Sequence, residues 1–460
     1  MLKTIGSVCS GIEAATIAFN PCGLKVKWLS EIADFPSKLL KSKFPDTENL
    51  GDMNLIPEKI LSKEIEATDI ICGGTPCQAF SLAGMKNGLN DDRGNLTLKF
   101  VDIIEANDNV RIENKESRSI VIWENVEGVL SDKTNAFGCF ISSLAGLSKI
   151  LTIKNNKWPN AGLIRGKKRN VAWRVLDAKF FGLPQQRRRL YLIASGKDFY
   201  PENILFEKHN GELNEFPKFP LNFIKEGHKF EIFREYTDCL YSAYGTKWNG
   251  NAAAYNGSLF VSQDDRIRRL SPLECERLMG FPDEYTNIKG AKKTNRYQAI
   301  GNSWAIPVIR WIGERLNSIS QNESLISDTN SNCLHILDED TIFYNLGKDI
   351  NSFGNLEINC TSIPEKCIFN SLELIISADA PEDIYISPVG CSGILRRKNE
   401  RNLKMNSCLE NALKKVASQM TPEEVEKKSL LQKRGKFSKI KEDTLKTDNN
   451  DSEQLSIFDL

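Results

Sequence analysis

Short apolar runs alternate with longer amphipathic stretches through the first 195 residues of the chain. The apolar runs have the length of β-strands and lie at residues 5–8, 26–30, 69–72, 120–123, 172–178 and 190–194. Residues 92–107 and 137–147 have a helical pattern. The spacing suits helical crossovers between parallel strands. The pattern therefore predicts an α/β fold with a doubly wound, mostly parallel sheet covered by helices.

Changes in composition divide the rest of the chain. Residues 196–265 mix aromatics, glycine, asparagine and lysine with poor periodicity, which indicates a small irregular or β-rich domain. Residues 266–318 return to helix, with expected helices at 272–279 after the Ser271 cap and at 305–316. We expect residues 319–422, which begin with a Ser/Asn-rich linker, to form a C-terminal extension of unknown fold. The charged residues 423–460 are expected to be a disordered tail.

Composition excludes several classes of protein. The 460 residues carry a formal charge of +1, so a nucleic-acid partner must be sought in local patches. We found no apolar run of the roughly 20 residues that cross a bilayer and no leader peptide, so no membrane partner is expected. The twelve cysteines include no Cys-x-x-Cys pair and there are three histidines, so no metal site is expected. Scattered free cysteines favour a reducing cytoplasm, and we expect a cytoplasmic monomer.

Cys77 is the first candidate for chemistry. It follows the predicted strand 69–72, the turn Gly73-Gly74 and Pro76, and it precedes Gln78. Proline fixes φ and stiffens the backbone that presents the thiol. The carboxyl edge of an α/β sheet is where such folds place ligands. The alternative is a thiol that serves as a small buried apolar group, so this segment alone leaves both readings open.

Two further segments place polar groups at strand ends. Glu124 and Asn125 follow the apolar run 120–123. Arg187, Arg188 and Arg189 precede the run 190–194, and strand alternation puts Arg187 and Arg189 on one side. The alternative for the arginines is a solvated charge run or a phosphate-binding patch. The basic residues upstream favour some phosphate contact in any case, and they are Arg165, Lys167, Lys168 and Arg169.

In order and spacing, these motifs resemble those of the DNA (cytosine-5-)-methyltransferases, most closely the bacterial and phage members. The resemblance covers a little over half the chain. Other matching segments are residues 5–15, 92–96, 269–282 and 297–303. It implies a Rossmann-like class I methyltransferase fold, S-adenosylmethionine as cofactor and double-stranded DNA as partner. It also implies a target-recognition domain at 196–265, between the catalytic segments 1–195 and 266–318.

The resemblance assigns catalytic roles. In the family a cysteine thiolate attacks carbon 6 of a flipped cytosine, a glutamate protonates ring nitrogen 3, and an arginine holds oxygen 2. Those roles fall on Cys77, Glu124 and Arg189, with Arg187 in support near the pocket. The family's catalytic motifs thus place the site at Cys77, Glu124, Arg189, Arg187, Gln78 and Asn125.

The resemblance also assigns the cofactor site. Glu31 would accept from the ribose hydroxyls, although by itself it reads as a surface glutamate; Asp52 would accept from the adenine amino group, and Ile32 would pack on adenine. The helix N-terminus after residue 10 would bind the carboxylate through free amides. The full cofactor set is Ser10, Gly11, Ile12, Glu31, Ile32, Asp52, Pro76, Asn302 and Ser303. Cys9 stands where the family has an aromatic residue, and Glu13 where it has a glycine.

Recognition and accessory contacts are predicted outside the catalytic motifs. The candidates for reading base edges are Lys247, Trp248, Asn249, Asn251 and Tyr255. The basic stretch 393–404 predicts either phosphate contacts or an amphipathic helix with a solvated face. Near the C-terminus, Gln454 to Phe458 resembles the short peptide by which bacterial replication proteins bind the sliding clamp.

Three other functions remain open at this stage. The same chemistry could act on RNA, although a segment sized for duplex recognition favours DNA. A non-catalytic DNA-binding relative would have no need for Cys77, Glu124 and Arg189 together. A Rossmann oxidoreductase would require a glycine fingerprint that the first loop lacks. A restriction–modification role fits the bacterial and phage resemblance, but the sequence names neither a target nor a partner nuclease.

Overall fold

A computed structural model describes residues 4–75, 96–244, 255–318, 323–326, 334–338 and 341–429. The strands in these ranges are β1 (Thr4–Val8), β2 (Lys25–Leu29), β3 (Glu48–Asn49), β4 (Ile70–Gly73), β5 (Ile120–Val126), β6 (Ala161–Arg165), β7 (Asn170–Asp177), β8 (Gln185–Gln186), β9 (Arg188–Ser195), β10 (Glu207–Lys208), β11 (Asn222–Lys225), β12 (His228–Ile232), β13 (Thr237–Asp238), β14 (Phe260–Gln263), β15 (Arg266–Arg269), β16 (Leu334–Asp338), β17 (Thr341–Asn345), β18 (Ile350–Phe353) and β19 (Leu356–Asn359).

The α-helices of the described ranges connect and cover these strands. They are α1 (Ala14–Phe19), α2 (Asp34–Lys43), α3 (Ile56–Leu61), α4 (Leu96–Glu113), α5 (Ala136–Ala145), α6 (Glu202–Leu205), α7 (Pro272–Met279), α8 (Lys293–Asn302), α9 (Ile306–Ser318), α10 (Leu372–Ile375), α11 (Pro388–Glu400), α12 (Ser407–Ala417) and α13 (Pro422–Ser429). Helix α7 begins with Pro272 after Ser271, whose side chain accepts from the Glu274 amide in the expected N-cap.

The largest sheet has ten described strands in the order β16-β17-β6-β7-β9-β5-β4-β1-β2-β3. All six predicted strands fall on its members β1, β2, β4, β5, β7 and β9, and the predicted α/β class is confirmed. The strands from β3 to β5 pair in parallel, as expected. From β5 to β16 the pairs are antiparallel, so the sheet is mixed. The ten residues between β7 and β9 are too few for a helical crossover.

Side chains of the central strands alternate between two apolar layers. In β5, Ile122 belongs to the layer that contains Phe19 of α1 and Ile309 of α9. Its neighbours Val121 and Trp123 belong to the opposite layer, with residues of α4 and α5. Because helices cover both faces, the sheet is doubly wound. This burial fixes the strand register, and with it the position of the polar residues that follow each strand.

The segment between β9 and α7 contains a second sheet. Strands β11, β12, β14 and β15 form a four-stranded antiparallel sheet in that order, referred to below as the recognition sheet. Strand β13 pairs instead with β8, beside the arginine run. Strand β8 lies one residue before β9 and outside the ten-stranded sheet, so this segment contacts the chain next to the start of β9.

The C-terminal extension is integrated with both sheets. Strand β17 pairs with β6 at the edge of the large sheet. Helices α11 and α12 pack on the recognition sheet. Helix α13 lies in the stretch expected to be disordered, so that expectation is wrong for residues 423–429. No helix in the described ranges has the length and apolar character needed to cross a bilayer.

Candidate active site

One cavity joins four distant parts of the sequence at the carboxyl ends of the parallel strands. It is lined by residues 7–15 after β1, by Gly74 after β4, by Glu124 of β5, and by Ala299 and residues 302–304 around the end of α8. Of the predicted site residues it contains Ser10, Gly11, Ile12, Glu124, Asn302 and Ser303. The chain thus returns after the recognition sheet to complete the cavity.

Glu124 lies at the centre of this arrangement. It is 7% exposed, and its Oε1 lies 3.3 Å from Arg189 Nε. Burial raises the pKa of the Glu124 carboxyl, while Arg189, Arg187 and a hydrogen bond from Trp304 oppose the rise. Oε1 has no hydrogen-bond partner of acceptable geometry in the described structure. A carboxyl group that keeps its proton to higher pH can donate it to a bound base.

The arginine run alternates as its sequence predicts. Arg188 points away and forms an ion pair with Glu127, from Nε to Oε2 at 2.7 Å. Arg187 is buried and donates to the carbonyl oxygen of Ser303 at 2.6 Å. Arg189 stays beside Glu124. Arg187 therefore joins the arginine run to the end of α8, and Arg189 lies on the side of the run that faces Glu124.

Two residues of this site were not predicted from the sequence. Cys239 Sγ accepts hydrogen bonds from Arg187 Nη1 at 3.2 Å and from Arg189 Nη2 at 3.4 Å. Trp304 lines the cavity, and its Nε1 would lie 2.9 Å from a Cβ at position 74, which explains the glycine there. The position of Trp304 directly after Asn302 and Ser303 was a usable signal. No pattern marks Cys239, because a cysteine in an irregular segment looks the same whether or not arginines surround it.

Pro76, Cys77 and Gln78 lie outside the described residues, but the point where their segment leaves β4 is well defined. Asn125 Nδ2 donates to the Thr75 carbonyl oxygen at 2.8 Å, and Trp123 Nε1 donates to Thr75 Oγ1 at 3.0 Å. Strands β4 and β5 are parallel neighbours, with Gly73 opposite Trp123. Thr75, two residues before Cys77, is therefore anchored to the residues that flank Glu124.

The predicted adenosine-binding residues surround the loop after β1. Glu31 Oε2 accepts from the Gly11 amide at 2.8 Å, and Oε1 accepts from the Ala33 amide at 2.7 Å. Each carboxylate oxygen retains a second lone pair for a ribose hydroxyl. Ile32 is 77% exposed, which leaves an apolar surface for a flat ring. Asp52 caps the following turn through the Asn54 amide at 2.9 Å.

Glu13 changes the expected anion site. It adopts φ +58, in the left-handed region that favours the glycine usual at this position. Its Oε1 accepts from the Thr16 amide at 3.0 Å, so the side chain itself caps α1. The expectation of free amides is therefore wrong at Thr16. Burial raises the pKa of Glu13 to about 7, opposed by hydrogen bonds from Ser7 and Thr16.

Cys9 replaces the aromatic residue of the family with a neutral apolar contact. Its Sγ lies 3.8 Å from Met53 Sδ. Burial raises the pKa of the Cys9 thiol to about 12, helped by the nearby charge of Glu31. The thiol therefore stays protonated and serves as an apolar wall.

The chain's residues fit S-adenosylmethionine. An exposed apolar Ile32 adjoins Glu31, and the polar groups of Asn302 and Ser303 line the same cavity as Glu124. Ile32 offers an apolar surface to the adenine and Glu31 offers acceptors to the ribose hydroxyls. Asn302 and Ser303 offer polar contacts to the amino-acid end. Bound there, S-adenosylmethionine supplies an electrophilic methyl group.

The predicted DNA contacts at Tyr255 and Arg169 conflict with the structure, and four others lie on residues outside the described ranges. Tyr255 is 3% exposed and cannot reach a base edge in this arrangement. Lys247, Trp248, Asn249 and Asn251 lie outside the described residues. Arg169 is buried and ion-paired with Asp108 at 2.6 Å, so the predicted phosphate contact is wrong for this residue.

The predicted phosphate contact is also wrong for Arg165, because its guanidinium forms an ion pair and a bidentate hydrogen bond with buried Glu202. Lys168 pairs with Glu105, from Nζ to Oε2 at 3.0 Å. These cations stabilise the packing of α4 and α6 on the antiparallel half of the sheet. Positive charge in a sequence run therefore did not indicate a phosphate site.

The fold and the cavity define a Rossmann-like class I methyltransferase. The family model described as C-5 cytosine-specific DNA methylase matches residues 3–257 and 220–318. These matches span well over half of the chain, and the protein belongs to that family. S-adenosylmethionine is accordingly its cofactor.

Curated relatives come from phage and bacteria. A DNA N-6-adenine-methyltransferase of Escherichia phage P1 is 33% identical over 456 residues, covering 68% of this chain and 60% of that protein. Type II methyltransferase M.HhaI of Haemophilus parahaemolyticus is 26% identical, covering 67% of this chain and 92% of its own. Type II methyltransferase M2.BsuMI of Bacillus subtilis (strain 168) is 26% identical, covering 70% and 76%. The chain thus spans less than two thirds of the phage P1 protein.

Proposed function

We propose that this protein transfers a methyl group from S-adenosylmethionine to carbon 5 of a flipped cytosine in double-stranded DNA. The observation that carries the proposal is the pairing of Glu124 with Arg189 at 3.3 Å, beside the anchored Thr75. A buried acid of raised pKa and a cation beside it match the ring nitrogen and oxygen on one edge of cytosine. Cys77 follows Thr75 by two residues.

In the proposed reaction Cys77 forms a bond from its thiolate sulfur to carbon 6 of the base. Glu124 gives its proton to ring nitrogen 3, which receives the displaced electron pair as the ring becomes an enamine. Arg189 hydrogen-bonds oxygen 2 and holds the base in line. Carbon 5 then forms a bond to the methyl carbon as the bond from that carbon to the cofactor sulfonium breaks, which leaves S-adenosylhomocysteine. Carbon 5 next loses its proton to solvent base, and that electron pair re-forms the double bond to carbon 6 as the sulfur–carbon bond breaks and releases the Cys77 thiolate. Nitrogen 3 returns its proton to Glu124. Because these atoms are enclosed by the duplex, the cytosine must leave the stack.

The phage P1 relative is named as a DNA N-6-adenine-methyltransferase, which raises the alternative of adenine N-6 methylation. An exocyclic amine attacks a methyl group with its own lone pair, so it needs neither a thiolate adduct nor a proton donor at a ring nitrogen. The raised pKa of Glu124 has no role in that reaction. The arrangement therefore favours cytosine. RNA as substrate and a non-catalytic role are separate outcomes of the same test.

The test is expression in a bacterium that lacks DNA methylation, followed by mapping of methylated bases in its DNA and RNA. We expect 5-methylcytosine at one short DNA sequence with the wild type and none with Cys77→Ala. N6-methyladenine alone, methylation confined to RNA, or equal methylation by Cys77→Ala would each overturn the proposal.

We also propose that the tail docks on a bacterial sliding clamp. Support comes from the resemblance of Gln454 to Phe458 to clamp-binding peptides, with a glutamine followed by spaced apolar anchors. A variant lacking residues 452–460 should lose clamp binding in a pull-down with purified clamp. Equal binding by this variant and the full chain would exclude the contact.

A further inference from the structure

The base-binding end of the cavity is connected to the C-terminal helices by an unbroken series of contacts. Cys239 touches Arg189, and its neighbour Asp238 accepts a hydrogen bond from Asn256 Nδ2 at 2.6 Å. Asn256 directly follows Tyr255, where the described chain resumes after residue 244. The recognition segment thus contacts the arginines at Cys239, and Asn256 brings the later part of the segment back to the same place.

The C-terminal helices hold that return point. The Asn406 amide donates to the Tyr255 carbonyl oxygen at 2.9 Å, and Asn406 Nδ2 donates to the Phe233 carbonyl oxygen at 3.0 Å. Phe233 and Tyr255 share one apolar cluster with α11 and α12. Backbone contact continues at Ile386, whose amide donates to the Ile267 carbonyl oxygen at 2.8 Å. The helices are therefore part of the recognition region, although they lie more than a hundred residues later in sequence.

Positive charge is concentrated on these helices. Residues 388–417 contain seven cations, Arg396, Arg397, Lys398, Arg401, Lys404, Lys414 and Lys415, against the two acids Glu400 and Glu410. The whole chain has a net charge of only +1. The excess is thus local, as expected for a patch that meets a polyanion.

Three of these cations lie within six consecutive residues at the end of α11, and Arg396, Arg397 and Arg401 are called the arginine cluster here. Burial lowers the pKa of Arg397, Tyr255 opposes this, and the charges of Arg396 and Arg401 lower it further. Arg396 has Glu400 at 3.6 Å as a partner on its own helix.

The arginine cluster differs from the upstream basic run in its exposure to solvent. Arg169 is enclosed and faces two carboxylates, Asp108 at 2.6 Å and Glu105 at 2.7 Å. Arg401 is exposed and Arg396 half-buried. A planar guanidinium on a rigid helix forms paired hydrogen bonds with phosphate oxygens. The cluster therefore has the chemistry of a phosphate-binding surface and lies against the recognition segment.

We propose that the arginine cluster binds backbone phosphates of the DNA and so sets the register of the recognition segment over its target. This rests on the proposed function only for the identity of the polyanion as duplex DNA. Helices α11 and α12 are then a working part of the DNA interface. Phosphate contacts of this kind position a protein without reading sequence.

The test is the double variant Arg396→Gln, Arg401→Gln, compared with the wild type in binding to a DNA duplex over a range of salt concentrations. Each lost phosphate contact removes about 0.9 from the slope of log affinity against log salt, so we expect the slope to fall by about 1 to 2. Cytosine methylation at saturating DNA should stay within about twofold, because no catalytic contact is removed.

A matched control removes two exposed cations at the opposite end of the strands, in the variant Lys115→Gln, Lys197→Gln. Both residues line a cavity with Asp69 and Ile120 at the amino ends of β4 and β5. Its slope should equal that of the wild type. A third variant, Arg396→Lys with Arg401→Lys, keeps the charge and should retain most of the slope.

The outcomes separate the two proposals. If the arginine and lysine-control variants change the slope equally, or neither changes it, the cluster has no phosphate contact and the inference is wrong. If a folded arginine variant, verified by its melting temperature, loses the slope while no protein form methylates cytosine, the cluster stands and the proposed reaction fails. A slope lost also in the charge-conserving variant would mean that the arginines only stabilise the helix pair.

Discussion

The cavity contains two buried glutamates, and their surroundings differ. At the cofactor end Glu13 accepts hydrogen bonds from the amide and hydroxyl of Thr16 and from the Ser7 hydroxyl. At the base end Glu124 faces the guanidinium of Arg189. Burial raises the pKa of both carboxyls. The same desolvation therefore acts on a structural cap in one place and on the proposed proton donor in the other, and the two carboxyls differ in their neighbouring groups.

The largest effect should come from the reagent that works with Glu124. Cys77→Ala removes the sulfur that must bond to carbon 6, so methyl transfer should fall below detection while DNA binding survives. The measurement is transfer of labelled methyl to duplex DNA beside a binding titration. Methylation by Cys77→Ala at the wild-type rate would show that Glu124 does not act together with a Cys77 adduct.

Glu124→Gln should lower the rate of methyl transfer about 10²- to 10⁴-fold. Cofactor affinity should hardly change, because glutamine keeps the shape but supplies no proton. In the wild type the acid form is needed, so the rate should fall as pH rises through the raised pKa of Glu124. Single-turnover rates measured across pH should show this fall in the wild type, and the variant should lack it. The same fall in rate in Glu124→Gln would assign the titration to another group.

Glu13→Gln should affect cofactor binding and leave the transfer step nearly intact. With a pKa of about 7, Glu13 is neutral below that pH and charged above it. A charged Glu13 repels the carboxylate of S-adenosylmethionine, so wild-type affinity should fall roughly threefold to tenfold as pH rises through 7. Titration calorimetry should find this dependence absent in the variant. An equal pH dependence in both proteins would show that Glu13 does not face the ligand carboxylate.

The smallest effect is expected at Cys239, which links the base end to the recognition region. Cys239→Ala removes an acceptor from Arg187 and Arg189, so the half-saturating DNA concentration should rise a few-fold. Cys239→Ser keeps an acceptor and should restore most of the affinity. Identical kinetics for the alanine variant and the wild type would show that the remaining partners of the arginines, among them Ser303 and Glu124, orient them without Cys239.

Much of the fold was predictable from local patterns. All six strands predicted from apolar runs belong to the ten-stranded sheet. The carboxyl ends of parallel strands share one edge of a sheet, and this rule placed Glu124 beside the segment of Cys77. Alternation predicted the opposite directions of Arg187 and Arg188, as the structure confirms.

The rest depends on contacts that no local pattern encodes. The turn into β9 makes half of the sheet antiparallel, and a strand's direction is not visible in its own residues. Glu13 looks like a lost glycine until its backbone angle and cap are seen. Arg165 and Arg169 look like a phosphate patch, because their carboxylate partners come from other parts of the chain.

The packing of α11 and α12 on the recognition sheet has a consequence for how target choice can change. The unit that holds Tyr255 consists of two stretches of sequence separated by the helices that complete the cofactor cavity. If residues 196–265 alone were exchanged for those of a relative, the foreign segment would have to pack on α11 and α12, which fit the original segment. If residues 196–265 select the target, as the sequence predicts, specificity is carried by a discontinuous module, and we expect a functional chimera to require the C-terminal helices of the same parent.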